Sequence, residues 1–191
     1  MAVTLQELSD AVFTITNRPD LAAETTYAVK AATTRAHNSD EYVPDILNAI
    51  VTPTFKEELG VYQVFIQEAP FVRFRRELAV ETFPTRAALT KISVDNLFDM
   101  YGGLTKDSYY LAGTTINVRV NSMEQLNVSY LTKPNLVDYS SWIADNYTDA
   151  IVLGAASMLF DVIGKADEKQ RFNNLYMQAL MDVRADNILN R

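Results

Sequence analysis

The chain has 191 residues with 17 basic and 24 acidic side chains, a net charge of −7, and no cysteine. That balance opposes binding to nucleic-acid phosphates, which draws its affinity from Lys and Arg. The absence of thiols removes disulfides, thiolate nucleophiles and Cys-based zinc sites together. The length suits one domain, or one domain with a large insertion, and lets roughly 70% of the unfolded surface be buried without a covalent staple.

The opening MAVTLQELSD has neither a basic start nor an apolar stretch, so no secretory signal is expected. Thr4 with Glu7 three residues on is the capping-box pattern. Leu5, Leu8, Val12 and Ile15 follow it at helical spacing, so a first amphipathic helix is predicted up to the break at Asn17, Arg18 and Pro19. Pro19 then opens a second, alanine-rich helix, a position where its missing N–H does no harm. Its apolar side (Leu21, Ala28, Ala31, Ala32) is made of small residues that permit close packing.

After Ser39 the pattern changes. "VYQVFIQE" is rich in β-branched and aromatic residues, "FVRFRRELAVE" alternates in part, and "RAALTKISVD" is a further candidate strand. The chain is expected to turn at Gly102 and Gly103. "SYYLAG" then leads into "TTINVRVN" and "QLNVSYLTKP", which read as the two arms of a β-hairpin. Ile116, Val118 and Val120 alternate with Asn117, Arg119 and Asn121, and Leu126, Val128 and Tyr130 alternate with Asn127 and Ser129. One apolar and one polar face imply an antiparallel sheet covered on one side.

Helical spacing returns beyond Pro134. Ser140 or Ser141 is placed to cap a helix from Trp142 to about Ile163, ended by Gly164. Its segment from Ala150 to Phe160 carries no charge, but a bilayer-spanning helix needs about 20 apolar residues. Asp145, Asp149 and Asp161 close the run off, so burial in a helix bundle is expected instead. A last helix carries Phe172, Leu175, Tyr176, Ala179, Leu180 and Val183 on one stripe. The expected fold is therefore α+β: a helical bundle built from residues 1–41 and 135–191, interrupted by an antiparallel β-rich insertion at 42–134.

Little in the sequence points to catalysis. His37 is the single histidine and sits near a helix C-terminus, where a cation suits the dipole. A Ser-His-Asp triad would have to use it. Phosphate-loop, dinucleotide, nucleophile-elbow and zinc-helix motifs are absent. The carboxylate pairs Asp95/Asp99, Asp145/Asp149, Asp40/Glu41 and Glu57/Glu58 read as solvated faces, so no metal and no cofactor is expected. Arg73 and Arg75 would share one face of a strand, with Phe74 on the other and Arg76 adjacent. Such a cluster suits a solvated face first, a protein interface second and single-stranded nucleic acid last, because Glu68, Glu77 and Glu81 flank it.

The order of these pieces carries a resemblance. A helical start leads to "LFDMYGG", then to a Tyr109-to-Gly113 step into two strands, and to a Tyr130-to-Pro134 step out of them. A helix with Trp142, Ile143, Ala150, Gly154 and Ala155 follows. An acidic break from Asp161 to Glu168 precedes a last helix with Phe172, Tyr176 and Leu180. From about Thr85 to Arg191 the chain is similar to the head-to-tail adaptor (connector) proteins of tailed bacteriophages. The resemblance implies a structural virion protein without enzymatic activity. It would be made in the host cytoplasm and form a ring, usually of twelve copies, under the portal at the capsid vertex. The partners implied are further copies of the chain, the portal protein, and tail nozzle or tail-tube proteins; DNA would pass through the channel only transiently, and no membrane would be involved. On this reading the tail VRADNILNR meets the portal through Arg184, Ile188, Leu189 and Arg191, while Gly154 and Ala155, with Arg73, Arg75 and Arg76, are candidates for subunit or tail contacts. The alternatives are another phage tail or tail-tube component, a small-molecule site using Tyr101, Tyr109 and Tyr110, and a nucleic-acid binder using the three arginines.

Overall fold

A computed structural model describes residues 2–93 and 107–189, with Leu189 described in its backbone only. The fold is α+β. The chain divides into two compact units, one formed by Met1–Asp45 with Lys133–Arg191 and the other by Ile46–Thr132. The sequence reading set these crossings at 41/42 and 134/135.

The first unit is helical. α1 (Leu5–Thr16) is closed at its start by the full capping box, in which the Glu7 N–H donates to the Thr4 hydroxyl oxygen and the Thr4 N–H to the Glu7 carboxylate. It ends at Asn17 in the left-handed conformation, φ 53°. Pro19–Leu21 is a 3-10 turn, and α2 (Ala22–Asn38) starts only after it. Where one helix was expected from Trp142 to Ile163 there are two, α3 (Trp142–Asn146) and α4 (Thr148–Val162), separated at Tyr147 (φ −135°, ψ 54°). The break is held by side chains. The Asn146 amide donates to the Trp142 carbonyl, and the Tyr147 hydroxyl donates to Asp186. α5 (Ala166–Leu189) completes the unit, and the segment after Val183 continues it as helix.

α4 packs on α1, α2, α3 and α5, which explains why it is apolar nearly all round. Ala150, Ile151, Ala155, Ala156 and Leu159 lie in one core with Leu8, Val12, Val29 and Ala32. Tyr176, Leu180 and Val183 of α5 join them, whereas Leu175 is 38% exposed and lies off the stripe the sequence assigned it to. Among the described residues no helix is long and apolar enough to cross a membrane.

In the second unit β1 (Ile46–Val51), β4 (Phe74–Phe83) and β8 (Gln125–Thr132) form an antiparallel sheet in the order β1-β8-β4. β2 (Thr54–Lys56), β3 (Val61–Phe65), β5 (Thr90–Lys91), β6 (Ser108–Ala112) and β7 (Thr115–Arg119) form the other, in the order β2-β3-β7-β6-β5. Among the described residues only the β5–β6 pairing is parallel. The strand expected at "RAALTKISVD" is reduced to β5 within the described residues, and "LFDMYGG" lies outside them.

The expected β7–β8 hairpin is not formed. β7 pairs with β3 and β6, while β8 pairs with β1 and β4, so these two strands belong to different sheets. The hairpin is β6–β7, with Ala112 opposite Thr115 and Gly113 at φ 59° in the turn. A two-residue loop needs such a φ, and glycine adopts it without a Cβ penalty. The alternation itself was sound, because Ile116 and Val118 from one sheet and Leu126, Val128 and Tyr130 from the other share one core. Alternation reports the face of a strand and is silent about its neighbour. Asn117, placed on a polar face by that alternation, is 1% exposed and accepts from the Gln63 amide at 2.7 Å.

Candidate functional site

The most concentrated polar chemistry of the helical unit lies around His37, in the last turn of α2. Its Nδ1 is 2.7 Å from Asp45 Oδ2, and its Nε2 is 2.9 Å from Ser141 Oγ. With a carboxylate at Nδ1, that nitrogen carries a proton and donates it to Asp45. Asp45 Oδ1 accepts from the Trp142 indole N–H at 2.8 Å, and Ser141 Oγ accepts from the Ala144 N–H at 3.2 Å as the N-cap of α3. The Trp142 ring stands edge-on to both His37 and Tyr42.

Serine, histidine and aspartate are thus aligned in the order of a hydrolase triad. Burial decides what the alignment can do. His37, Ser141 and Asp45 are 1%, 3% and 4% exposed, and the serine oxygen already caps a helix. No acyl group can approach Ser141 in this conformation. The cluster instead ties the end of α2 to Asp45, where the chain leaves the helical unit, and to the start of α3 after it returns. Asn187 reinforces the same region from α5, accepting from the Val43 N–H at 3.0 Å and donating to the Glu41 carbonyl at 3.2 Å.

The sequence-derived candidates fall into three groups. Gly154 and Ala155 are corrected from subunit contacts to core positions: both are buried within their own chain, Ala155 at 0% exposure. A Cβ on Gly154 would lie 3.1 Å from the Tyr176 ring and 3.2 Å from Ala32 Cβ, so the glycine serves the packing of α4 between α2 and α5. Arg184 is half-buried and donates from Nη2 to the Ser39 carbonyl at 2.8 Å, at the C-terminal end of α2. Ile188 is 66% exposed, while the Leu189 side chain and Arg191 lie outside the described residues.

The arginine cluster is also rearranged. Arg73 precedes β4 in the left-handed region, φ 45°, and a bulge between Phe74 and Arg76 makes Arg75 the extra residue. Arg73 and Arg75 therefore do not share a strand face, because the bulge breaks the period of two. Phe74 turns inward and stacks on Tyr130 at 5.3 Å.

Of the tyrosines offered as a small-molecule site, Tyr109 and Tyr110 are 4% and 8% exposed, and Tyr101 lies outside the described residues. Burial, and secondarily the Glu77 carboxylate, push the Tyr109 phenol up to about 12. Asp95 and Asp99 also lie outside the described residues, and the helix break at Tyr147 separates Asp145 from Asp149. Among the described residues no group of three or more His, Asp or Glu is placed to hold a metal ion.

Among its exposed charged and polar residues the helical unit also presents apolar side chains. Met177, Met181 and Ile188, on one side of α5, are 41%, 61% and 66% exposed. Between α2 and α4 a groove is lined by Ala23, Tyr27, Ala28, Met158, Leu159 and Val162, with Glu24 as its one charged residue and Tyr27 at 76% and Val162 at 66% exposure. The sequence matches no protein-family model, and no curated protein matches it.

Proposed function

We propose that the protein is a structural adaptor of a tailed-phage particle, assembling as a ring between portal and tail. The observation that carries this reading is the pair of apolar surfaces on the helical unit, the α5 side with Met177, Met181 and Ile188 and the α2/α4 groove with Tyr27 and Val162. Apolar groups gathered at two different places on one unit suit a heterologous contact, in which one patch of each copy meets the other patch of the next and the chain of contacts closes into a ring. The closed His37 cluster supports the same reading, since the most elaborate polar network of the helical unit is spent on holding helix ends together. The net charge of −7 would let DNA pass through a ring without adhering.

The test is binding to the portal ring of the same virus, followed by co-sedimentation. Met181→Glu and Ile188→Glu place charge on exposed positions, so the melting temperature should stay near that of the parent while recovery with the portal ring falls. Equal recovery of parent and both variants would remove the α5 surface from the account. No recovery of the parent chain would remove the adaptor reading.

A further inference from the structure

The four outer strands of the two sheets differ in how their free edges are protected. β2 has three residues and ends in Lys56; β5 has two and ends in Lys91. β4 carries Arg75, Arg76, Glu77 and Glu81, and the second half of its outer edge is occupied by the returning chain, with the Leu89 N–H donating to the Val80 carbonyl and the Thr82 N–H to the Ala87 carbonyl. Short length, charge and cover are the devices that keep sheet edges from pairing with other chains. β1 has none of them. It is six residues long, pairs among the described residues on one side only, with β8, and begins the run ILNAIVTPTF, which holds no charge from Ile46 to Phe55. Leu47, Asn48 and Ile50 are exposed, Ile50 at 48%.

We propose that this edge is a self-pairing surface: β1 of one copy adds antiparallel to β1 of a second copy and joins the two three-stranded sheets into one. Charge argues for a second copy as the occupant. Two identical strands bring two copies of every charge on the strand into one short interface, so an edge charged with one sign would repel its own copy. In a chain of net charge −7, ten consecutive uncharged residues on an open edge are compatible with that meeting. The register follows from the pleat. Ala49 and Val51 face the core of the unit, so Ile46, Asn48 and Ile50 face away from it. A two-fold that keeps like faces together must put a residue of β1 on its axis, and of the two registers with the greatest overlap, centred on Asn48 or on Ala49, the one that sets outward apolar groups opposite one another has Asn48 there. Ile46 then lies across from Ile50 of the second copy, and Leu47 across from its Ala49. Centring on Ala49 would set Asn48 against Ile50 instead. The pairing does not depend on the adaptor reading, and each can fail alone.

Because the chain lacks cysteine, Asn48→Cys introduces a single thiol on the axis. Residues directly opposite in antiparallel strands have Cα atoms about 4.5–5.5 Å apart, within the span of about 4.4–6.8 Å that a disulfide bridges. Val137→Cys, at 90% exposure and outside the β unit's chain segment, is the comparison. With oxidised glutathione, Asn48→Cys should cross-link into dimers in far greater yield than Val137→Cys. Adding Ile50→Lys should abolish the excess while the circular dichroism spectrum is kept. The parent chain should show a sedimentation mass that rises from one chain toward two with concentration. Equal yields from the two cysteine variants, or a parent mass independent of concentration, would overturn the proposal. So would cross-linking of Asn48→Cys that appears only when a tail protein bearing its own cysteine is present, since the edge would then belong to a partner strand.

Discussion

Gly154 shows how much one hydrogen atom decides in the helical unit. Alanine there gains about 1 kcal/mol of helix propensity, but its Cβ must displace the Tyr176 ring, and overpacking of this kind costs roughly 1–3 kcal/mol. Gly154→Ala is therefore expected to destabilise by about 1 kcal/mol in urea unfolding. Adding Tyr176→Leu should reduce that penalty, and Tyr176→Phe should not, because the contacts are to ring carbons. His37→Ala leaves a buried carboxylate and a buried hydroxyl each short of a partner, and about 3 kcal/mol of stability should be lost. Trp142, the one tryptophan, touches the same cluster and supplies the fluorescence that follows it. Two phenols set an alkaline limit. Donation to the Asp186 carboxylate pushes Tyr147 up to about 12, and burial brings Tyr109 there as well. Unfolded tyrosines lose their protons near 10, roughly. Between that pH and about 12 the unfolded chain binds fewer protons, so stability, intact below the unfolded value, should fall as the pH rises. Tyr147→Phe should flatten that slope in denaturation followed against pH. The sequence showed His37 as a lone residue near a helix end. Its partners lie 8 and 104 positions away, a distance that no local pattern spans.

At the scale of elements, what could be read was whatever depends on neighbours within one turn or one strand. The Thr4–Glu7 box, the Ser141 cap and the alternation in β8 are local, and all three stand in the structure. What could not be read is set by distant residues. The break at Tyr147 is held partly by Asp186 on α5, and the partners of β7 and β8 come from strands far off in the chain. Gly113 was seen, but as a step into the wrong hairpin. A Cβ there would meet nothing within 4 Å, so the cost of Gly113→Ala is purely that of its left-handed φ, about 1–2 kcal/mol. Asparagine should cost less, and thermal melting of the two variants compares them directly. Gly154 and Ala155 were recognised as permitting close approach, but the sequence could not say whether the neighbour was the same chain or another; Tyr176 and Ala32 of the same chain fill that place.

At the scale of the molecule, the helical unit takes both ends of the chain and the β unit is inserted between them, so Asp45 and Lys133 mark the two crossings. The His37 cluster and Asn187 secure helix ends close to the first of those crossings. The adaptor reading rests on that frame and on the exposed apolar sides of the helical unit. Its most direct test is the mass of the portal ring, measured by light scattering before and after saturation with this protein. The account predicts a stable complex heavier by a whole ring of 21.5 kDa chains. An unchanged portal mass, with this protein recovered entirely outside the complex, would contradict it.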